Sequence, residues 1–144
     1  MQPFHFPLER VLLWYRKQAQ LEEVRLAASV LTLNRAQEAV DRLRAERLAV
    51  RRSVISTAGI STQELAALAS YVRGVNGRES ELVLDLQKQE LSVQAQRQRV
   101  QAARSRVQLL EHLRERRVSE HSYAVDRELE SLAADSYMSK WSQQ

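Results

Sequence analysis

The chain has no cysteine, only three glycines and only two prolines among its 144 residues. Without cysteine there are no disulfides, thiolate metal sites or cysteine nucleophiles, a usage that fits a reducing compartment. Scarce glycine and proline leave almost nothing to break long helices. Aromatic residues make up only 6% of the chain, which argues against a large globular core. The longest uncharged run, Ser53 to Gln63, is too short and too polar to span a bilayer. Arg and Glu recur from residue 9 onward, so the basic-then-apolar order of a signal peptide is missing. A soluble, cytoplasmic protein with no direct membrane span is the expectation.

Catalytic signatures are equally sparse. Glycines at 59, 74 and 77 cannot build a phosphate-binding loop. His5, His112 and His121 are scattered, with no i, i+3 or i, i+4 pair to hold a metal. No Ser or Thr has a plausible histidine base, and a coiled coil offers no concave pocket. The chain on its own is therefore expected to be neither an enzyme nor a cofactor carrier.

What remains is the composition of long amphipathic helices, dominated by Leu, Ala, Gln, Arg and Glu. Its 22 basic and 18 acidic residues are interspersed, as on a solvated helix surface. From Leu8 to about Thr57 two seven-residue columns run unbroken. One is Leu12, Ala19, Leu26, Leu33, Val40, Arg47 and Val54. The other is Leu8, Tyr15, Glu22, Ser29, Ala36, Leu43, Val50 and Thr57. Eleven of these fifteen positions are apolar, which predicts a coiled-coil helix over 8–57. Pro7 and Glu9 suit its first turn. Gly59 is available for a left-handed cap, and Ser61-Thr62-Gln63-Glu64 reads as a capping box. The box predicts a short helix over 62–75 inside a connector spanning 58–78, with Asn76-Gly77 as a turn. A second long helix is expected over 79–141. Its columns are Leu86, Val93, Val100 and Val107, with Leu82, Gln89, Gln96, Ala103 and Leu110 beside them.

The fold class expected is all-α: a single domain over 1–144, a long antiparallel two-helix coiled-coil hairpin with a short helix in its connector. Pairing Thr57 with Glu79 would set Leu8 opposite about Glu128 and leave an overhang of roughly a dozen residues, on the order of 20 Å. That overhang holds Leu129, Leu132, Tyr137 and Trp141. After Val107 the next clean apolar series is Val118, Val125 and Leu132, a four-residue phase shift that locally unwinds a supercoil.

Two further surfaces invite partners. Trp14, Leu21, Val24, Ala28 and Leu31 form a second apolar stripe nearly opposite the seam of the first helix. It calls for a third helix or another protein, or reflects self-association or a tolerant surface. Arg114 and Arg117 turn both seam positions of the second helix basic, with Arg116 beside them. They suit an acidic partner, or a solvated face balanced by Glu111, Glu115 and Glu120 at helical spacing. Nucleic acid is disfavoured, because Arg interleaves with Glu and no aromatic stacking platform accompanies it.

The chain opens on Phe4-His5-Phe6-Pro7-Leu8-Glu9-Arg10-Val11-Leu12, carries Gly59-Ile60-Ser61 with Glu64-Leu65-Ala66-Ala67-Leu68 in the connector, and runs downstream through Leu110 to Arg117. In this order the three segments resemble the FliJ family of flagellar export proteins. The first is similar to the family's Phe-x-Phe-x-Leu entry into a Val-Leu helix, the second resembles its connector, and the third its downstream motif. The resemblance implies a soluble component of the flagellar type III protein export apparatus, serving flagellum biogenesis and motility. Family members look like the two-helix stalk of a rotary ATPase gamma subunit. The implied partners are the export ATPase hexamer, the cytoplasmic region of the membrane export gate, and export chaperones. The implied location is cytoplasmic, peripherally associated with the inner-membrane export apparatus. On this reading Arg114, Arg116, Arg117, Leu129, Leu132, Tyr137 and Trp141 would meet the ATPase ring. Trp14, Leu21, Val24 and Leu31 would meet the gate or chaperones. A virulence-type secretion stalk protein and a generic coiled-coil scaffold are the alternatives.

Overall fold

A computed structural model describes residues 3–141 of the chain. The fold is all-α, with two long helices packed against each other: α1 over Glu9–Ser56 and α2 over Thr62–Trp141. No strand occurs among the described residues.

Local chemistry sets the helix ends as the residues predict. The Glu9 amide donates to the Phe6 carbonyl at 3.2 Å, so Pro7 sits in the turn that opens α1, where a missing N–H costs nothing. At the other end the Ser56 and Thr57 hydroxyls donate to the Ser53 carbonyl at 2.8 and 2.9 Å, satisfying one of the orphan acceptors. Gly59 then takes a positive φ of 87°, a conformation that disfavours any side chain. Ser61 and Glu64 form the reciprocal capping box. The Ser61 amide donates to Glu64 Oε2 at 2.8 Å, and the Glu64 amide to Ser61 Oγ at 3.3 Å.

The chain divides into two compact units, Met1–Gln20 with Gln101–Gln144, and Leu21–Val100. Within each, a segment of α1 runs antiparallel to a segment of α2. In the first unit Glu9 meets Arg114 and Arg16 meets Glu111. In the second Glu22 meets Gln96, while Arg44 and Arg47 meet Glu79. Leu12, Ala19 and Ala103 are buried in the first unit, as is Phe6 ahead of the helix. Ala36, Val40, Leu43, Val75, Val93 and Val100 are buried in the second. Every buried residue within the helices lies on a heptad column, so the seam forms where the seven-residue period places it. Burying each Val or Leu there contributes about 1.5–3 kcal/mol.

Three expectations need correction. First, the short helix over 62–75 and the turn at Asn76-Gly77 are absent, because α2 runs unbroken through them. The column Leu82, Gln89, Gln96 extends backwards at the same spacing to Val75, which is buried, and Leu68, which is half-buried. Packing along that column outweighs the roughly 1 kcal/mol that a glycine costs inside a helix. Second, the packing follows the phase shift after Val107 only in part. Val118 and Leu132 are exposed and Val125 is half-buried, while His121, on the original column of Val93, Val100 and Val107, is half-buried as well. Its ring meets that of Phe4 edge-on, with centroids 5.6 Å apart. Third, the pairing register differs. Glu79 faces Arg44 and Arg47 rather than Thr57, and the N-terminal segment reaches only to His121. Beyond it Val125 alone is half-buried, and 126–141 are all exposed. The overhang of α2 is therefore about twenty residues, on the order of 30 Å.

Candidate functional site

The basic segment of α2 is less uniform than its sequence suggests. Arg114 is drawn across to α1, its Nε donating to Glu9 Oε2 at 3.1 Å. Arg117 folds along its own helix, with Nη1 at 3.2 Å from Glu120 Oε2. Arg116 is exposed and forms no ion pair with a described residue. One turn earlier Arg16 donates from both Nε and Nη2 to Glu111 Oε1, at 3.1 and 2.8 Å. These pairs are solvent-exposed, and each contributes only about 0.2–1 kcal/mol. Their effect is to align the helices and to leave Arg116 and the outer edges of Arg114 and Arg117 presented to solvent. Beside Arg114, the next turns of α2 form a shallow groove with Val118, Ser119, Ser122, Tyr123 and Asp126.

The overhang continues that face. Leu129, Leu132, Tyr137 and Trp141 are exposed, Trp141 by 71% of its surface. Such an apolar surface without a covering helix suits a protein partner, because burying it removes large side chains from water. On α1, Trp14 is exposed in the first unit with its ring edge-on to Tyr15, centroids 5.0 Å apart. Leu21, Val24 and Leu31 are exposed in the second unit, as a stripe turned away from the seam must be.

Two polar nodes and one cleft lie outside the candidate residues singled out by the sequence pattern. Gln96 is buried, and its Nε2 donates both to the Glu22 carbonyl at 3.1 Å and to the Glu22 carboxylate. This hydrogen bond holds the Glu22 carboxyl below the usual carboxylate range, and the Arg25 and Arg99 charges act in the same direction. The signal was present in the sequence as two polar residues on opposing seams. Such a layer fixes register at some cost in stability. Glu79 is the second node, receiving Arg44 Nε and Arg47 Nη1, each at 2.8 Å. The hydrogen bond from Arg44, followed by the charges of Arg44 and Arg47, depresses its carboxyl as well. Near the connector of the second unit, the last turns of α1 and the first of α2 leave a cleft of about 560 Å³. Val50, Val54, Ile55, Leu68, Tyr71 and Val72 line it, together with Arg47, Arg51 and Asn76.

The arrangement presents exposed apolar and basic faces along the two helices. Among the described residues no three metal-ligating side chains come together. No described helix is long and apolar enough to cross a membrane. In comparisons with known proteins, no family model, no curated protein and no solved structure matches the chain.

Proposed function

We propose that the chain is a stalk component of a flagellar-type protein export apparatus, binding and stimulating a hexameric export ATPase. The observation that carries this reading is the end of the first unit. There the Phe4 and Phe6 opening is packed down, and α2 projects about twenty residues beyond it with its apolar side chains exposed. Arg114, Arg116 and Arg117 stand at the base of that projection. A ring collar lined with acidic residues would attract the arginines, and the overhang with Leu129, Leu132, Tyr137 and Trp141 would supply the desolvated contacts. The stripe of Trp14, Leu21, Val24 and Leu31 would remain for the export gate or the export chaperones. The protein would work in the cytoplasm, peripherally attached to the export apparatus at the inner membrane.

The experiment is co-purification with the candidate export ATPase, reading hexamer formation and turnover with and without this chain. Replacing Arg114, Arg116 and Arg117 by Glu is expected to abolish stimulation while leaving helicity intact. Full stimulation by the triple variant would overturn the assignment. Polar substitution at Trp14, Leu21, Val24 and Leu31 should lose a gate or chaperone partner in pull-downs.

A further inference from the structure

The cleft of the second unit and the overhang of α2 are complementary, and neither is covered by the chain's own packing. The cleft has an apolar lining in which Ile55, Tyr71 and Val72 remain exposed. Its surroundings are basic: residues 44–79 carry six arginines against three glutamates, of which Glu79 engages Arg44 and Arg47. Arg47 is engaged by Glu79, but Arg51 lines the cleft and forms no ion pair with a described residue. The overhang has the opposite character. Residues 122–141 hold Asp126, Glu128, Glu130 and Asp135 against Arg127 and Lys140. Helical spacing puts Val125, Leu129 and Leu132 on one stripe, with Glu128 and Asp135 along its edge.

We propose that this cleft receives the α2 overhang of a second copy of the chain. Leu129 and Leu132 would enter between Val54 and Tyr71, and Glu128 or Asp135 would meet Arg51. Pairing two overhangs with each other is the competing arrangement, and it sets like-charged acidic edges together. The two surfaces differ, so the contact is heterologous and does not close at a dimer; mass rises progressively with concentration. The same overhang is assigned above to an ATPase ring. A second copy and the ring therefore compete for it, and self-association keeps the apolar side chains from water until a ring is present. Self-association of the purified chain is read without any ring present.

The test is sedimentation equilibrium of the full chain over about a hundredfold concentration range, at about 50 mM and about 0.5 M salt. The native chain is expected to associate at low salt and to weaken at least about tenfold at high salt. Arg51→Glu and the pair Glu128→Arg, Asp135→Arg touch exposed positions, and circular dichroism verifies that helicity is unchanged. Each variant alone should weaken association by about tenfold or more, and mixing the two should restore it to within about threefold of native. A native chain that stays monomeric overturns the proposal. So does association lost in the overhang variant but retained in Arg51→Glu, which would indicate paired overhangs. Failure of the mixture to recover overturns it as well.

Discussion

Leu12 and Leu13 are neighbours of the same residue type in the same helix, and the fold assigns them opposite fates. Leu12 is 0% exposed on the seam of the first unit, whereas Leu13 is 48% exposed beside it. Substituting either by Ala changes intrinsic helix propensity identically, by a few tenths of a kcal/mol in favour of Ala, so the difference reports packing alone. Removing a fully buried leucine side chain costs about 2–5 kcal/mol. A two-helix seam relaxes more readily than a globular core, which puts Leu12→Ala near the low end, at about 2–3 kcal/mol. Leu13→Ala loses at most about half of a transfer term and recovers part through propensity, for a net effect of about 0.5–1 kcal/mol. The gap of about 1.5–2 kcal/mol corresponds to roughly 5–9 °C in melting temperature for a chain of this size. Urea and thermal unfolding followed by far-UV circular dichroism measure both. A gap under about 0.5 kcal/mol, or a larger loss at Leu13, would refute the seam assignment, because the heptad period would then point elsewhere.

Acid sensitivity follows from Glu22 and Glu79, whose carboxyls are both held below their ordinary values. Their contribution is complete above the unfolded glutamate pKa of about 4.3 and is lost as pH falls through the depressed folded values. Urea midpoints should thus be flat from neutral pH to about 5 and decline below about pH 4; Glu79→Gln should flatten that decline, and an unaltered acid limb would count against the node. The two glycines should respond in opposite directions. Gly59→Ala forces a Cβ onto a φ of 87° and should destabilise by about 1 kcal/mol. Gly77→Ala lies inside α2, where an added Cβ meets nothing within 4 Å, and should stabilise by about 0.5–1 kcal/mol. Equal signs in thermal melts would contradict the continuity of α2. Loss of ATPase stimulation on reversing Arg114, Arg116 and Arg117, and mutual rescue between the cleft and overhang variants, complete the set.

The candidate faces were legible in the sequence as far as exposure goes. Periodicity put Trp14, Leu21, Val24 and Leu31 off the seam, and all four are exposed. It likewise placed Leu129, Leu132, Tyr137 and Trp141 on a stretch of α2 without a partner helix, and these too are exposed. It could not foresee that Arg114 is tied to Glu9 and Arg117 to Glu120, which leaves Arg116 as the member of the cluster without an ion pair to a described residue. Rotameric freedom of arginine lets it choose among several carboxylates, and only the packed helices decide which is within reach. The cleft lined by Val50, Val54 and Tyr71 was equally hidden. Its walls come from two helices whose spacing no single-helix pattern encodes.

Sequence alone determined the local elements: where α1 starts and stops, the left-handed Gly59, the Ser61–Glu64 capping box, and the columns that become the seam. These depend on interactions within a few residues, which spacing records directly. Tertiary structure decided what no single helix can know. Packing through Val75 and Leu68 carried α2 across Asn76-Gly77. The meetings of Glu22 with Gln96, Glu79 with Arg44 and Arg47, and Phe4 with His121 set the axial offset of the helices. A heptad repeats every seven residues, so it fixes which side of a helix is buried and leaves the sliding position open. Polar pairs and one aromatic contact break that degeneracy, and the length of α2 left exposed follows from where they lock.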